Sequence, residues 1–498
     1  HGIEYVEWSS QIAKVAIYLT DHQENLKLES VLGVAANRFP LSHSANIVQG
    51  NALEIDWAEV CPMTDTTVIV GNPPFLGYSN QNAEQKQDQL KIWGKVKGAG
   101  VLDYVVNWHL LATRHMQGTK ARAAFVSTNS IVQGTQPAIW YAEIQKLGAS
   151  ISFAHQTFVW ESDASGKAAV HCVIIGFSVG WKPARKLLFT YKTSKSMPQS
   201  KVVKAINGYL LDAPDILVSS RSKPFQDFVQ IMQKGSQPTD EGYLSNISSD
   251  EAENIRVSDE IAAKYLHKII GAAELINGKE RYCLWLVDAT PSEIKGSKVI
   301  SERANAVRSM RAASPKAMTQ RDAATPTLFQ ENRQPKSTYL AVPSASSENR
   351  EYVPMALMSE DVIANNALLT IAGADLVTLA ILHSKTFNLW NRIVSGRLKS
   401  DFRISAEITY NNFPFPELTG EVREALEVTG QKILDARAEY PSETLATLYD
   451  PISMPTCLRK VHEENDKVTL KAYGLKPNAQ SAEILTELFN RYEALTTK

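Results

Sequence analysis

The sequence lacks long apolar runs, paired cysteines and an excess of charge of either sign, and each absence excludes a class of protein. No run reaches the 18 apolar residues of a membrane-spanning helix, so no membrane partner is expected. The four cysteines, Cys61, Cys172, Cys283 and Cys457, stand far apart with no C-x-x-C pair. That spacing argues against a zinc site and against a secreted disulfide framework; the four read as free thiols in a reducing cytoplasm. His109, His115, His155 and His171 have no acidic or cysteine partner at ligand spacing, so no metal is expected. Lysine plus arginine number 52 against 53 aspartates and glutamates. A chain that binds nucleic acid over its whole surface would be more basic, so such binding needs a local basic face. No charged segment and apolar core follow His1, so no signal peptide is read there. Internal repeats and long low-complexity segments are absent as well. What is present is an ordinary folded composition, 44% apolar and 21% charged over 498 residues, enough for about three domains.

Strand and helix signals alternate through the first part of the chain. Ile12, Val15, Ala16 and Leu19 recur at helical spacing within 9–19. Strands are expected at 45–48, at 67–70 (TVIV, stopping at Gly71), at 123–127, at 151–155 and at 170–178, with a helix over 102–116. This order predicts an open, largely parallel α/β sheet. The connection 157–168, with Asp163, Ser165 and Gly166, is too short for a helical crossover, so the strands it joins are expected to pair antiparallel. From about Trp181 to Pro416, proline, serine and lysine become frequent. Strand-like pieces at 282–287 and 337–342 and a helical patch at 376–392 interrupt that region, and Phe387 and Trp390 in the patch read as core. After Pro416, 422–440 and 482–495 are helical again. Domains are therefore expected at 1–190, 191–416 and 417–498.

The segment that carries chemistry is Gly71-Asn72-Pro73-Pro74-Phe75, directly after the TVIV strand. Ligands of open α/β sheets sit at the carboxyl ends of the strands, which is where this loop lies. Its prolines fix φ and remove two backbone donors. The Asn72 side-chain oxygen and a proline carbonyl can accept both hydrogens of an exocyclic NH2 group, which turns the nitrogen lone pair toward an electrophile. Phe75 offers a flat face for a base. A strong general base is not required, since the proton can leave after the nitrogen attacks. The bland alternative is a proline-stiffened strand exit; the position after an apolar strand in an α/β pattern favours the site.

In this setting Asn72-Pro73-Pro74-Phe75 resembles the fourth motif of class I amino-methyltransferases that use S-adenosylmethionine, whose flipped adenine or cytosine is held by that loop. The resemblance continues in the family's order. Gly2-Ile3-Glu4-Tyr5 resembles the end of the second strand, which implies Glu4 on the ribose hydroxyls of the cofactor with Tyr5 beside it. Gly50-Asn51-Ala52-Leu53 resembles the third motif, which implies Asn51 and Ala52 at the cofactor adenine. Leu102-Asp103-Tyr104 resembles the helix after the catalytic loop, and 122–131, 151–160 and 170–177 resemble the remaining sheet motifs. Downstream, Arg281-Tyr282-Cys283-Leu284-Trp285-Leu286, Tyr410-Asn411-Asn412-Phe413-Pro414-Phe415-Pro416 and Leu448-Tyr449-Asp450-Pro451 with Met454-Pro455 resemble the fused restriction-modification methyltransferases of the MmeI type. The family's glycine-rich first motif, which should precede Glu4, is not found, so the resemblance implies a sheet without its first strand and a chain that is a piece of a longer protein. A nuclease domain upstream is a further expectation.

The fold implied is thus a Rossmann-like class I methyltransferase sheet lacking its first strand, then a mixed α+β target-recognition domain, then a helical C-terminal tail. Over 295–336, nine basic residues face three acidic ones, an excess suited to phosphate contact and to Arg-to-guanine readout. Arg303, Arg308, Arg311, Lys316, Arg321 and Arg333 are the candidates there, joined by Arg397 and Lys399 from a second cluster. The expected function is methylation of adenine N6 in double-stranded DNA by a bacterial cytoplasmic enzyme. Open alternatives are cytosine N4, RNA or a protein glutamine as acceptor, and a specificity module that only binds DNA.

Overall fold

The apolar strands expected in the first half all form, but not as one largely parallel sheet: three of the five pairings in the six-stranded sheet are antiparallel, and the strand expected at 45–48 pairs in a separate sheet. The computed structural model describes residues 1–33, 45–160, 170–193, 195–398 and 401–497, and the chain forms two compact units, His1–Leu217 and Val218–Lys498. The first runs β1 (Gly2–Glu4), α1 (Glu7–Leu32), β2 (Ile47–Gln49), α2 (Trp57–Val60), β3 (Val68–Gly71), α3 (Ala83–Trp93), α4 (Val106–His115), β4 (Arg122–Thr128), α5 (Gln136–Lys146), β5 (Ser150–Trp160), β6 (Val170–Ser178), β7 (Lys186–Thr190) and β8 (Gln199–Val203). Six strands form a sheet in the order β3-β4-β6-β5-β7-β8. β3 is parallel to β4 and β5 to β7, while β6 is antiparallel to β4 and to β5. The short connection therefore has the consequence expected of it; its segment with Asp163, Ser165 and Gly166 lies outside the described residues. β5 extends five residues past His155 because two register shifts let it bend along β6. β8 pairs with β7 beyond residue 190, where the first domain was expected to end.

The core of this unit lies between the sheet and α4 and α5, with Leu110, Trp140, Ile144, Ile151, Ile175 and Phe177 all buried. His109 is fully buried among the rings of Phe125, Trp140 and Phe177. Burial pushes its pKa down to about 4, which keeps it a neutral core residue. α1 is a 26-residue helix, longer than its sequence pattern suggests, and Ile12, Val15 and Leu19 are exposed. The periodicity located the helix but not a partner for its face. β1 and β2 pair in parallel as a separate sheet. Val68 and Val70 of β3, an edge strand of the larger sheet, are 53% and 74% exposed.

The second unit is mixed. An antiparallel sheet is built from Ala356–Met358, Tyr339–Pro343, Leu368–Ala372 and Met232–Lys234 in that order. The basic region contains a 15-residue helix, Lys298–Ala312. The patch at 376–392 is two helices, Leu376–Leu382 and Lys385–Val394, divided where the Ser384 hydroxyl accepts from Phe387 N–H as an N-cap. Phe387 and Trp390 are fully buried. Helices Gly420–Ala438, Thr456–Ala472 and Ser481–Thr496 complete the unit.

Two buried groups there oppose each other in acid. Burial pushes the His462 pKa down to about 3, and Tyr449 Oη stands 2.9 Å from its Nε2. A histidine lowered in this way gives stability above its unfolded value near 6.5 and loses it as pH falls toward 3. Burial pushes Asp466 up to about 6 while it accepts from Tyr352 Oη at 2.7 Å. That contribution is full below about 4 and is lost as pH rises through 6. Asp466→Asn should therefore leave the histidine loss unopposed, making the unit more acid-labile by about 2 kcal/mol between pH 7 and 4.5. Urea melts at the two pH values measure it; equal wild-type and variant pH slopes would refute it.

Candidate active site

β3 and β4 are parallel, so Gly71 and Thr128 end at one edge of the sheet. The loop leaving β3 starts against an aromatic wall: a Cβ on Gly71 would lie 3.3 Å from the Phe125 ring. Asn72 and Pro74 are exposed, Pro73 is buried and Phe75 is half-buried. Among the described residues, neither the Asn72 side chain nor the carbonyls of Asn72, Pro73 and Pro74 accept or donate an internal hydrogen bond. Among the described residues the loop's acceptors are thus not consumed by internal bonds, those of Asn72 and Pro74 on exposed residues and that of Pro73 on a buried one.

The far end of the loop is anchored. Tyr104 N–H donates to the Leu76 carbonyl at 2.9 Å. Asp103, 5% exposed, accepts from Thr128 Oγ1 at 2.9 Å and Gln136 Nε2 at 3.1 Å, and also from Ser130 Oγ. The start of α4, the end of β4 and the start of α5 are tied at that carboxylate. Asn82 and Gln85 form a reciprocal cap at the start of α3.

The residues expected at the cofactor lie on the β1–β2 pair. Glu4 pairs with Gln49, and Gly50 N–H donates to the Glu4 carbonyl at 2.9 Å, which sets the Glu4 and Asn51 backbones side by side. Glu4 is half-buried with no ion pair among the described residues, and Tyr5 is 67% exposed. The Asn51 amide is committed: its Oδ1 accepts from Leu53 N–H at 3.0 Å and its Nδ2 donates to Asp88 Oδ2 at 3.3 Å. The Ala52 carbonyl accepts from Trp57 Nε1 at 2.7 Å. Sequence reasoning assigned no role to Asp88. It sits in a polar helix, and nothing in the sequence marks it as buried.

The recognition candidates divide sharply. Arg311 requires a correction. It is fully buried, and its guanidinium donates to the carbonyls of Pro238, Thr239, Asp322, Thr325 and Leu328 at 2.8–3.1 Å. Every donor is used inside the fold, so it cannot meet a phosphate or a base. Arg303 is held by Glu251 and the Tyr243 carbonyl. Arg333 pairs with Glu331 at 2.6 Å. Arg397 lies 3.9 Å over the Phe402 ring and 3.4 Å from Glu348, and burial lowers its pKa to about 10. Lys399 lies outside the described residues. Arg308, Lys316 and Arg321 are exposed and make no ion pair among the described residues.

Three family matches cover nearly the whole chain: "MmeI, DNA-methyltransferase domain" over residues 1–190, "MmeI, target recognition domain" over 212–417 and "MmeI, C-terminal domain" over 419–498. The chain belongs to the MmeI family. DNA methyltransferase A of Bacillus subtilis (strain 168) is 37% identical over 501 residues, covering 100% of this chain and 56% of the relative. The Type IIL restriction-modification enzyme MmeI, solved in complex with DNA, superposes with a TM-score of 0.89 at 38% identity, covering 100% of this chain and 66% of that one. This MmeI-family chain thus spans about half to two thirds of the length of these relatives.

Proposed function

We propose that the chain transfers a methyl group from S-adenosylmethionine to N6 of an adenine flipped out of duplex DNA, within a restriction-modification system. The observation that carries this reading is the set of acceptors on Asn72, Pro73 and Pro74 at the strand edge that have no partner among the described residues, with Phe75 half-buried beside them. Asn72 Oδ1 and the Pro73 carbonyl hold the two amino hydrogens, Pro74 keeps the loop extended, and Phe75 stacks on the extruded base. Extrusion costs a few kcal/mol, which stacking and these bonds offset. Rate comes chiefly from holding nitrogen against methyl carbon.

The donor set fits the cofactor in part. Glu4, a carboxylate with no ion pair among the described residues at the end of a parallel strand, suits the ribose hydroxyls. Tyr5, Ala52 and the loop at Asn51 flank it, with Asn51 acting through its placement of that loop, since its amide is engaged. When bound, the cofactor supplies an electrophilic methyl group. Transfer of label from S-adenosylmethionine to duplex DNA tests the reading, with the modified base identified afterwards. N6-methyladenine supports it; N4-methylcytosine, labelled RNA or labelled protein would replace the acceptor; DNA binding without label would favour a specificity module.

For the recognition face, Arg308, Lys316 and Arg321 are the proposed phosphate contacts, with Arg303, Arg333 and Arg397 as secondary candidates held by their own partners. Replacing the first three with alanine should reduce the slope of log affinity against log salt by about three. A slope equal to that of the wild type would remove them from the interface.

A further inference from the structure

The strand-end loops of the candidate site meet at a carboxylate that no part of the proposed chemistry uses. Asp88, on α3, is 4% exposed. Its Oδ2 accepts from Tyr104 Oη at 2.7 Å and from Asn51 Nδ2 at 3.3 Å. No cation pairs with it among the described residues. A buried carboxylate held only by neutral donors is costly to keep, and an apolar residue would fill the same space without that cost. What the carboxylate adds is geometry, because two donors from different segments converge on one oxygen.

Each donor leads to one side of the site. Asn51 Oδ1 accepts from Leu53 N–H, and the Asn51 carbonyl accepts from Glu54 and Ile55 N–H at 3.0 and 3.1 Å, so Asn51 organises the turn after β2. Tyr104 donates its backbone N–H to Leu76 in the loop after β3. Burial and Asp88 push the Tyr104 pKa far up, so its hydroxyl stays a donor throughout the working range. A hydrogen-bonded path therefore runs from the turn at 51–55, through Asp88, to the loop carrying Asn72.

We infer that Asp88 and Tyr104 are positioning residues that lock the cofactor-side turn and the target-side loop into one relative geometry. The inference rests on the function proposed above for its kinetic consequence, but its structural part stands apart from it. Tyr104→Phe keeps the ring, including its edge contact with Trp108, and removes only the hydroxyl.

The test uses the whole protein. Hydrogen exchange without cofactor should rise about tenfold in Tyr104→Phe at both Leu53–Ile55 and Tyr104, the value of a lost hydrogen bond to a charged group. Asp88→Asn, which keeps an acceptor oxygen, should recover most of the protection, and Lys86→Ala on the exposed face of α3 serves as control. Methyl transfer by Tyr104→Phe should show a raised KM for S-adenosylmethionine together with a lowered kcat, each by about tenfold, with cofactor-free DNA affinity unchanged. Exchange that rises only around Tyr104, or unchanged kinetic constants, would overturn the inference. A wild-type protein that fails to methylate DNA would refute the proposed function, while the exchange pattern would still decide the tie.

Discussion

Asn72→Ala is expected to lower methyl transfer by at least about 10²-fold, the scale seen when one preorganised polar partner of a reacting group is removed. The side chain is exposed and has no internal hydrogen bond among the described residues, so its loss should change stability by no more than about 0.5 kcal/mol. An activity loss therefore cannot be assigned to unfolding. DNA affinity should be nearly unchanged, because the phosphate contacts proposed for the recognition face lie elsewhere. Asn72→Asp keeps an acceptor oxygen and should fall between wild type and alanine. Label transfer and a DNA-binding isotherm on the same preparations check this; turnover retained in the alanine variant would remove Asn72 from the chemistry.

Legibility in the sequence followed the kind of signal involved. Strand positions, the antiparallel β5–β6 pair and the loop after β3 were readable because apolar runs, a short connection and two prolines act locally; the largely parallel sheet was not, because the antiparallel pairings of β6 with β4 and of β8 with β7 are set by the assembled sheet. The helix at 376–392 was read as continuous because nothing in its periodicity shows that the Ser384 hydroxyl would cap a second helix. Asp88 and Tyr104 escaped assignment because their significance is a meeting of segments 16 residues apart. The resemblance placed Asn51 beside the cofactor, but its amide is spent on Leu53 and Asp88. Charge counting marks a basic region but not which of its side chains are available: of nine basic side chains in 295–336, Arg311 is the one the fold takes inside.

Arg311→Ala should accordingly be a stability variant. Removing the guanidinium leaves five carbonyls without their donor and opens a void in a packed interior. Buried acceptors left unpaired cost about 1 kcal/mol or more each, so a total of about 3–5 kcal/mol is expected after partial rescue by water. For a unit of this size that lowers Tm by roughly 10 °C. The damage should reach both loops the guanidinium joins, one at 238–239 and the other at 322–328. The first holds Thr239 and Glu241 at φ of +46° and +48°, a left-handed conformation that side chains rarely adopt and that costs about 1 kcal/mol or more per residue. Such a turn persists only where its surroundings over-determine it, and the bond from Arg311 Nε to the Thr239 carbonyl is part of that determination. Arg311→Lys, with three donors for five acceptors, should recover only part of the loss. Arg308→Ala on the exposed face of the same helix should stay within about 0.5 kcal/mol. Thermal melts of the three variants separate the roles: an Arg311→Ala protein with wild-type Tm and a shallower salt dependence of DNA binding would return this residue to the DNA face.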